Sequence, residues 1–576
     1  MTDPRTVTMG GAPEGYDAAL LLREVARAEG PVIHVARDDK RMAATEAALA
    51  FFDPAMPVLR FPAWDCLPYD RLSPNPDISA ARMATLAALV HGAPARFVLL
   101  TTMSAATQFL PPRDVLREAA FTARVGQRID EAALRAFLAR MGFAQAPTVT
   151  EPGDYAIRGG IIDIYPPGEG GPVRLDLFGD VLDGARRFDP ATQRTTEPLE
   201  RVELAPVSEV ILDEPSILRF RQNYRIEFGA AGSDDPLYEA VSAGRKHQGA
   251  EHWLPFFHER LETLFDYLPG APVTLDDQVR PAHLARWEGI ADQYEARREA
   301  MGQKGRIDTV YKPVPPEQLY LDEPALDAAL GGRRVVQFSP LPRASGPGVV
   351  DAGGRIGRSF APERQSEKTN LFSVLADHVR AKMEDAPVVV ASYYEGARER
   401  LSGLLEDEGL VGAVPVTDAT RLGKRGLHLA VWPLEQGFET PELTVVSEQD
   451  VLGDRLIRAP KKRRRAENFL TEAQSLSPGD LVVHVEHGIG RYKGLEVVTA
   501  AGAAHECLLL EYAEGAKLYL PVENIELLSR YGHEEGLLDK LGGGAWQAKK
   551  ARLKERIREM ADRLIRVAAE RALRKA

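Results

Sequence analysis

The hydrophobic pattern of the first hundred residues alternates between two periods. Short apolar runs at residues 32–35 and 97–100 have the length of buried strands, whereas residues 17–28 and 80–90 show the period of amphipathic helices. Strands that alternate with helices in this way are typical of an α/β domain. The pattern therefore predicts that the chain begins with such a domain.

A different pattern occupies residues 153–206, where short strands are separated by glycine and proline turns. Three apolar runs form it, at residues 160–165, 173–178 and 199–204. This spacing favours a small β-rich insertion over a continuation of the α/β pattern.

The α/β pattern returns beyond the insertion. Helical windows follow residue 214, and the run 272–275 predicts another buried strand, so the insertion interrupts one α/β domain. Residues 335–460 again mix buried strands with helices, which predicts a second, smaller α/β unit.

Two further segments follow. Residues 477–531 alternate as four or five short strands separated by glycine-bearing turns, which is typical of a small SH3-like or Tudor-like barrel. The usual work of such a barrel is to bind an extended strand or loop of a partner. The spacing of apolar residues in 547–576 predicts a helix with one apolar stripe on a basic surface.

Composition agrees with several globular domains. Of 576 residues, 44% are apolar and 27% are charged, which is neither a disordered nor a fibrous composition. No apolar stretch approaches the ~18 residues of a membrane helix, and the first residues lack a secretory signal, so we expect a cytoplasmic protein with no membrane partner. The two cysteines, Cys66 and Cys507, exclude a disulfide framework and a cysteine-rich zinc site.

The charge distribution restricts how the chain could meet nucleic acid. The net charge is −12, from 72 basic and 84 acidic residues, which argues against a protein that coats nucleic acid. Residues 547–576 hold 11 basic and 4 acidic residues, a local +7, so weak DNA contact is expected at most through this tail. The basic block 461–465 favours a solvated linker over an arm that contacts phosphates.

A strand–loop–helix near the amino terminus has the glycine spacing of a phosphate-binding P-loop, G-x4-G-K-[S/T]. Gly10 and Gly15 occupy the two glycine positions. Tyr16 stands in place of the lysine that neutralises the phosphates, and Asp17 in place of the hydroxyl that binds Mg²⁺. We therefore expect a degenerate P-loop that packs a helix on a sheet and binds no cofactor.

The sequence predicts no catalytic residue and no metal site. The pair Asp276–Asp277 follows an apolar strand, where an acidic pair starts a helix more often than it holds Mg²⁺. His484 and His487 flank Glu486, but residues i and i+3 of a strand point to opposite faces and cannot share a zinc ion.

Several segments together resemble the bacterial transcription-repair coupling factors. Residues 481–494, LVVHVEHGIGRYKG, with residues 516–521, AKLYLP, closely resemble the RNA-polymerase-interacting domain of that family, which is related to CarD. Residues 61–70 with 73–79, and residues 156–166, are similar to its amino-terminal module. The resemblance covers nearly the whole chain in the right order.

The resemblance implies that the amino-terminal module is similar to the excinuclease protein UvrB and that its insertion binds the excinuclease protein UvrA. The family's contacts to UvrA match Arg158, Arg174 and Phe178. Arginine and aromatic residues dominate the binding energy of many interfaces. The alternative is that either arginine merely pairs with Asp163 or Asp176.

The resemblance also implies contact with the β chain of RNA polymerase through the second barrel strand, at Leu495, Val497 and Val498. Val498 stands where the family usually has leucine. Because valine is also apolar, this difference is expected to change the affinity for RNA polymerase and not the ability to bind it. Alternation places Leu495 and Val497 on one strand face and Val498 on the other, so only one set can be exposed. Ordinary barrel core is the alternative role for all three.

The predicted fold is a multidomain α/β chain. Its segments are a UvrB-like α/β module at 1–118 and 211–335, a UvrA-binding insertion at 119–210, a small α/β domain at 336–460, a basic linker at 461–476, the barrel at 477–545 and the start of a relay helix at 546–576. Family members continue into translocase lobes that use ATP and Mg²⁺, and then into a domain that covers the UvrA-binding face. The resemblance therefore implies that the chain stops inside the relay helix, and we expect a monomer whose DNA contacts belong mainly to those lobes.

Three functions are compatible with the sequence. The favoured hypothesis is a non-catalytic adaptor for transcription-coupled nucleotide excision repair, which docks on stalled RNA polymerase and recruits UvrA. The alternatives are an ATP-hydrolysing UvrB-like helicase module and a stand-alone CarD-like transcription regulator.

Overall fold

The computed structural model describes residues 6–168, 170–229, 235–302, 311–365, 370–453, 479–484, 487–500, 503–521, 528–532 and 538. The chain divides into two compact units, Met1–Arg455 and Leu456–Ala576. The basic linker and the relay helix predicted from the sequence lie outside the described residues. Within the described residues, no helix combines the length and the apolar character needed to cross a membrane.

Strands and helices are numbered in chain order. The strands of the first unit are β1 Thr6–Gly10, β2 Val32–Ala36, β3 Val58–Phe61, β4 Val98–Thr102, β5 Phe121–Arg124, β6 Ala144–Gln145, β7 Asp154–Arg158, β8 Ile161–Ile164, β9 Val173–Phe178, β10 Val181–Phe188, β11 Thr195–Leu199, β12 Arg201–Leu204, β13 Val273–Leu275, β14 Val335–Phe338, β15 Val349–Asp351, β16 Arg355–Ile356, β17 Val388–Ser392, β18 Val414–Val416, β19 Leu427–Val431, β20 Phe438–Glu439 and β21 Thr444–Ser447.

The helices of the first unit alternate with these strands. They are α1 Tyr16–Ala28, α2 Asp39–Phe52, α3 Pro76–His91, α4 Met103–Ala106, α5 Arg113–Glu118, α6 Glu131–Arg140, α7 Glu214–Phe228, α8 Pro236–Ser242, α9 Leu264–Tyr267, α10 Val279–Gly302, α11 Pro316–Leu319, α12 Glu323–Leu330, α13 Ala361–Gln365, α14 Leu371–Met383, α15 Glu395–Asp407 and α16 Glu448–Leu452. Short 3-10 helices span Ala250–Phe256 and Ala419–Arg421.

Parallel strands form the sheet of the first α/β domain, in the order β15-β1-β14-β13-β2-β4-β3. Strands β2 and β4 are buried along their whole length, as expected for a parallel sheet that is covered on both faces. Separate apolar clusters fill the two faces, with Leu99 in one and its neighbour Leu100 in the other. The predicted α/β domain is confirmed.

This sheet extends beyond the boundary predicted at residue 335. Strand β14 crosses that boundary and pairs with β1 and β13, and β15 pairs with the other edge of β1. The apolar run in β14 suits a central strand that is buried on both faces. The second sheet therefore begins only after β15, in the order β16-β20-β21-β17-β19-β18.

The insertion folds as a six-stranded sheet in the order β11-β10-β9-β8-β7-β6, which agrees with the predicted β-rich segment. One face of this sheet packs Ile162, Leu175 and Leu182 into the core. The run 199–204, predicted as one strand, is divided between β11 and β12, because the chain changes sheets at Glu200. There the Glu200 carbonyl accepts a hydrogen bond from Val125 N at 3.1 Å, and β12 pairs with β5.

A buried ion pair joins the end of the insertion to the α/β body. Arg82 of α3 donates from Nε to Glu209 Oε1 at 2.6 Å, and Trp64 Nε1 donates to the same oxygen at 3.0 Å. Both charged side chains are almost completely buried, so removing either partner would leave an uncompensated charge. The pair holds the chain in place where the insertion rejoins the body.

The second unit contains the compact β segment predicted from the sequence. Its strands are β22 Leu481–His484, β23 Gly488–Ala500, β24 Ala503–Glu511, β25 Lys517–Pro521 and β26 Leu528–Gly532, with a short 3-10 helix at Ala513–Gly515. They form an antiparallel sheet in the order β25-β24-β23-β22-β26. Its core includes Val482, Leu508, Leu510 and Tyr512.

Five charged side chains meet at the carboxyl ends of β1, β2 and β13. Arg41 of α2 donates to Asp17 of α1 and, from Nε, to Asp276 Oδ1 at 3.3 Å. Arg37 donates from Nη1 to Asp276 Oδ2 at 3.3 Å and from Nη2 to Glu14 Oε1 at 2.7 Å. We call this set of five residues the Arg41 network.

A helix follows the pair Asp276–Asp277, as predicted, but Asp276 itself has a further role. Its side chain is 2% exposed and faces the two arginines, while α10 begins three residues later at Val279. Burial raises the pKa of Asp276 to about 6, although the Arg41 guanidinium opposes that rise. Burial likewise raises the pKa of Asp17. Asp276 thus belongs to a buried ion network.

Replacing Asp276 with asparagine should change how the stability of the first unit depends on pH. A carboxyl group whose pKa is raised by folding contributes stability that is complete below its unfolded pKa of 3.8 and is lost as pH rises through about 6. Because asparagine does not titrate, the melting temperature of Asp276→Asn relative to the wild type should rise between about pH 4 and about pH 7 and then level off. Calorimetry over this range measures the difference.

The neighbouring variant Asp277→Asn is the matched control, since the Asp277 side chain is only half-buried. Asp277 is not part of the Arg41 network, so this variant should not show the rise expected for Asp276→Asn. A difference for Asp276→Asn that does not change with pH would contradict the proposed titration.

Candidate docking sites and the phosphate-loop position

The loop between β1 and α1 has the predicted strand–loop–helix geometry, but its backbone donors are already bonded to the protein. Gly11 N donates to Leu341 O and Ala12 N to Ser339 O, both at 2.9 Å. Gly15 N donates to the Asp17 carboxylate at 3.0 Å. In a working P-loop such amides cradle phosphate oxygens. Here protein acceptors occupy these amides.

The Tyr16 side chain packs the loop against the second sheet. Its hydroxyl donates to Ala352 O at 3.3 Å, and its ring lies 5.8 Å from the Phe438 ring, centroid to centroid. The backbone at Gly354 packs directly against the loop. A Cβ added to Gly354 would lie 2.6 Å from Gly11 O, so a larger residue there would clash with the loop backbone. The structure thus places Gly10, Gly15, Tyr16 and Asp17 in a packed joint, where the buried Arg41 pairs with Asp17. Sequence reasoning missed Arg41, because no motif marks it.

The outward face of the insertion sheet brings the three predicted UvrA-contact residues onto one surface. In the strand register Arg158 lies opposite Ile161, Ile161 opposite Asp176, and Asp163 opposite Arg174. Residues directly opposite each other share a sheet face, and so do residues two apart on one strand. Phe178, two residues after Asp176, therefore lies on the same face as Arg158 and Arg174.

The three residues differ in how free they are. Phe178 is 83% exposed. Arg158 is exposed, and its Nη2 donates to Pro147 O at 2.8 Å. Arg174 instead grips Asp163 with two hydrogen bonds, Nε to Oδ1 at 2.7 Å and Nη2 to Oδ2 at 2.9 Å. Of the two roles that the sequence left open for Arg174, the structure therefore shows the pairing with Asp163.

Sequence reasoning missed Ile161 as a surface residue. It is an isoleucine with 39% exposure, directly opposite Arg158. The pattern Ile161–Ile164 contained the signal, since alternation puts Ile161 on the face of Asp163 and buries Ile162 and Ile164 on the other.

The predicted polymerase-contact residues all lie on β23. Leu495 is opposite Leu508, a buried core residue, so Leu495 belongs to the core face of the sheet, at its exposed margin. Val498 is half-buried and lies on the opposite face, with Glu496. Val497 is opposite Glu506 in the register, and its side chain lies outside the described part of the structure.

One edge of β23 is open beside these residues. Strand β22 pairs with β23 only from Gly488 to Arg491, whereas β24 pairs with it as far as Ala500. Among the described residues, no strand pairs with the other edge of β23 from Gly494 onward. The backbone groups on such an edge can bond to an added strand.

The geometric argument against convergence of His484 and His487 is wrong. Strand β22 ends at His484, and the two imidazole rings stack with their centroids 4.6 Å apart, while His487 N donates to His484 Nδ1 at 3.3 Å. The chain turns after His484 and so brings the two rings together, and the hydrophobic pattern of the sequence did not predict this turn. Glu486 lies outside the described residues, and within them no group of three or more His, Cys, Asp or Glu side chains could hold a metal ion.

Two family models match the chain. The UvrB interaction domain matches residues 121–209, and the CarD-like/TRCF RID domain matches residues 476–532. The first match covers the insertion sheet with the Arg158 and Phe178 surface, and the second covers β22 to β26.

Curated relatives match almost all of the chain. The transcription-repair-coupling factor of Escherichia coli (strain K12) is 33% identical over 576 residues, covering 98% of this chain and 48% of that protein. That of Rickettsia bellii (strain RML369-C) is 30% identical over 526 residues, with coverage of 91% and 45%. That of Bacillus subtilis (strain 168) is 28% identical over 545 residues, with coverage of 89% and 44%. The chain spans about half the length of these relatives, and it corresponds to an amino-terminal portion of the transcription-repair-coupling factor family.

Proposed function

We propose that this chain is the docking portion of a transcription-coupled nucleotide excision repair factor. Its insertion binds UvrA, and its second unit binds the β chain of RNA polymerase. The observation that carries the proposal is the exposed Phe178 beside Arg158, on a sheet whose opposite face is buried, within the stretch that the UvrB interaction domain matches. ATP-driven translocation on DNA is assigned to the part of such factors that this chain does not span.

The chemistry of the insertion surface supports a protein partner. Phe178 is 83% exposed and lies on the same sheet face as the exposed Arg158, and aromatic residues together with arginine dominate the binding energy of interfaces. The surface also has a rigid support, because the buried pair between Arg82 and Glu209 fixes the end of the insertion. A preordered surface loses less entropy on binding.

The open edge of β23 supports polymerase binding through strand addition. An edge that has no partner strand can extend its sheet across an interface, and side chains beside it then select the partner. Val498, on the face opposite the core, is suited to make the apolar contact. We further infer that the five strands belong to a barrel of the SH3 or Tudor type.

We also infer that the first unit binds no nucleotide, which disfavours an ATP-hydrolysing helicase module. Three loop amides bond to protein acceptors, and Asp17 and Tyr16 occupy the positions of the hydroxyl and the lysine. Releasing the Gly15 amide would also remove a hydrogen bond from Asp17, which is part of the buried Arg41 network.

Phe178→Ala and Arg158→Ala should each weaken binding to purified UvrA. Truncating an interface hot spot costs about 2 kcal/mol or more, so the dissociation constant should rise about 30-fold or more. Isothermal titration calorimetry with the 576-residue chain measures this.

Two exposed residues of the same unit provide matched controls for that experiment. They are Ile226, an aliphatic residue on α7 with 81% exposure, and Arg135, an exposed arginine on α6 of the insertion. Ile226→Ala and Arg135→Ala should bind UvrA as the wild type does. If Phe178→Ala and Arg158→Ala also bind normally, the insertion is not the UvrA site.

Polymerase affinity should respond to Val498 in both directions. Val498→Asp places a charge in an apolar contact and should abolish binding, whereas Val498→Leu adds one buried methylene, worth about 0.8 kcal/mol, and should tighten binding about fourfold. Biolayer interferometry with RNA polymerase measures both. Tighter binding by Val498→Leu cannot result from unfolding. Val411→Asp, a change at an exposed valine of the first unit, is the control for adding a surface charge, and it should bind RNA polymerase normally. Unchanged affinity in both Val498 variants would refute the assignment.

Titration with a fluorescent ATP analogue and Mg²⁺ should show no saturable binding up to about 1 mM, the upper end of ordinary nucleotide affinities. The amides of Gly11, Ala12 and Gly15 are occupied by protein acceptors. Micromolar binding that disappears in Gly15→Val would establish the helicase-module alternative instead.

A further inference from the structure

The surface residues of the insertion fall into two groups when the strand register is followed to the end of the sheet. The turn at Gly159 and Gly160 separates Arg158 from Ile161, and Phe178 closes the neighbouring strand β9. Leu177 N donates to Gly160 O at 2.7 Å, so this turn is bonded to the residue just before Phe178. A Cβ on Gly160 would lie 2.6 Å from Leu177 O, which shows how closely the two segments approach. Arg158, Ile161 and Phe178 therefore share one end of the sheet.

Ile161 and Phe178 form a diagonal pair on that end. Ile161 is directly opposite Asp176, and Phe178 is two residues further along β9 on the same face. Diagonal neighbours of this kind have Cα atoms about 7–8 Å apart, close enough for side chains as large as these to form one apolar patch. Both are exposed, at 39% and 83%, and Arg158 lies directly opposite Ile161. The patch thus combines two apolar residues with one cation.

Arg174 lies apart from this patch. It is four residues before Phe178, a separation of about 13 Å along a strand. Its side chain is 18% exposed. The guanidinium holds both Asp163 oxygens, donates from Nη1 to Gln193 O at 3.4 Å and lies over the Phe188 ring at 4.9 Å. The hydrogen-bond donors of the guanidinium and its planar face are thus already in contact with other residues of the protein.

Asp163 explains why Arg174 is needed. The Asp163 side chain is almost completely buried in the middle strand pair, and an ionised carboxylate there must be paired. Without Arg174 the Asp163 carboxylate would be buried and unpaired between β8 and β9, the two strands that carry Ile161 and Phe178. The arginine is therefore placed to hold these strands together and not to meet a partner.

We propose that UvrA contacts Arg158, Ile161 and Phe178 directly, and that Arg174 is a positioning residue that acts only by neutralising Asp163. This inference rests on the proposed binding of UvrA to the insertion. It adds Ile161 to the contact surface and moves Arg174 out of it. The partner surface should offer a carboxylate to Arg158 and an apolar recess to Ile161 and Phe178.

The contact role of Ile161 is tested by calorimetric titration of the full chain with purified UvrA. Ile161→Asp should raise the dissociation constant about 30-fold or more, as expected for a charge placed in a desolvated apolar contact. Leu218→Asp is the matched control, because Leu218 is an exposed leucine on α7 of the same unit, and it should bind normally. Normal binding by Ile161→Asp would overturn this part of the inference.

The role of Arg174 is tested by rescue. Arg174→Met leaves the Asp163 charge unpaired and should weaken UvrA binding, and the double variant Arg174→Met with Asp163→Asn should restore the dissociation constant to within about threefold of the wild type. If Arg174 contacts UvrA, the double variant will bind as poorly as Arg174→Met. Normal binding by Arg174→Met alone would also refute a positioning role. Thermal unfolding of each variant identifies the cause. The melting temperature should fall in Arg174→Met and recover in the double variant, if the unpaired Asp163 charge is what weakens binding.

Failure of this inference and failure of the proposed function give different results. If Phe178→Ala does not weaken binding, UvrA does not use the insertion and the proposed function fails. If Phe178→Ala weakens binding while Ile161→Asp does not, or while the double variant stays weak, only the present inference fails.

Discussion

A charge removed from water must be paired, and this constraint recurs at each joint of the first unit. Arg41 lies among Asp17 and Asp276 at the carboxyl ends of the parallel strands, where α/β folds often bind ligands. Arg82 and Glu209 form a second buried pair, where the insertion rejoins the body. The first pairing lies beside the loop that has the glycine spacing of a P-loop, and the second holds the end of the insertion in place.

Docking capacity arises from what packing leaves uncovered. The insertion sheet packs one face against the core, and its other face ends in Phe178 and Ile161, which are exposed in the first unit as described. In the second unit, the edge of β23 continues past the end of its pairing with β22. A side-chain patch and an open strand edge are different kinds of surface, which suits two partners that bind independently.

Much of the fold was predictable because it depends on local pattern. The apolar runs of β2, β4, β9 and β19, and the helix α1, appear where their periods place them, and the degenerate loop lies between β1 and α1 as expected. Predictions failed where the chain turns or pairs over long distances. Glu200 divides one apparent strand between two sheets, and the turn after His484 stacks two imidazole rings that strand alternation would separate.

The sequence by itself, through its resemblance to a known family, indicated Arg158, Phe178 and Val498 as candidate contact residues. The strand register then placed Arg158 and Phe178 on an outward face and Val498 opposite the core. Only the tertiary structure decided what each charge does. Arg174 and Arg158 are equivalent as letters, yet Asp163, on the neighbouring strand, holds one and leaves the other exposed. Asp276 meets Arg41 from more than two hundred residues away. Electrostatic partners depend on distance in space, which a linear sequence does not contain.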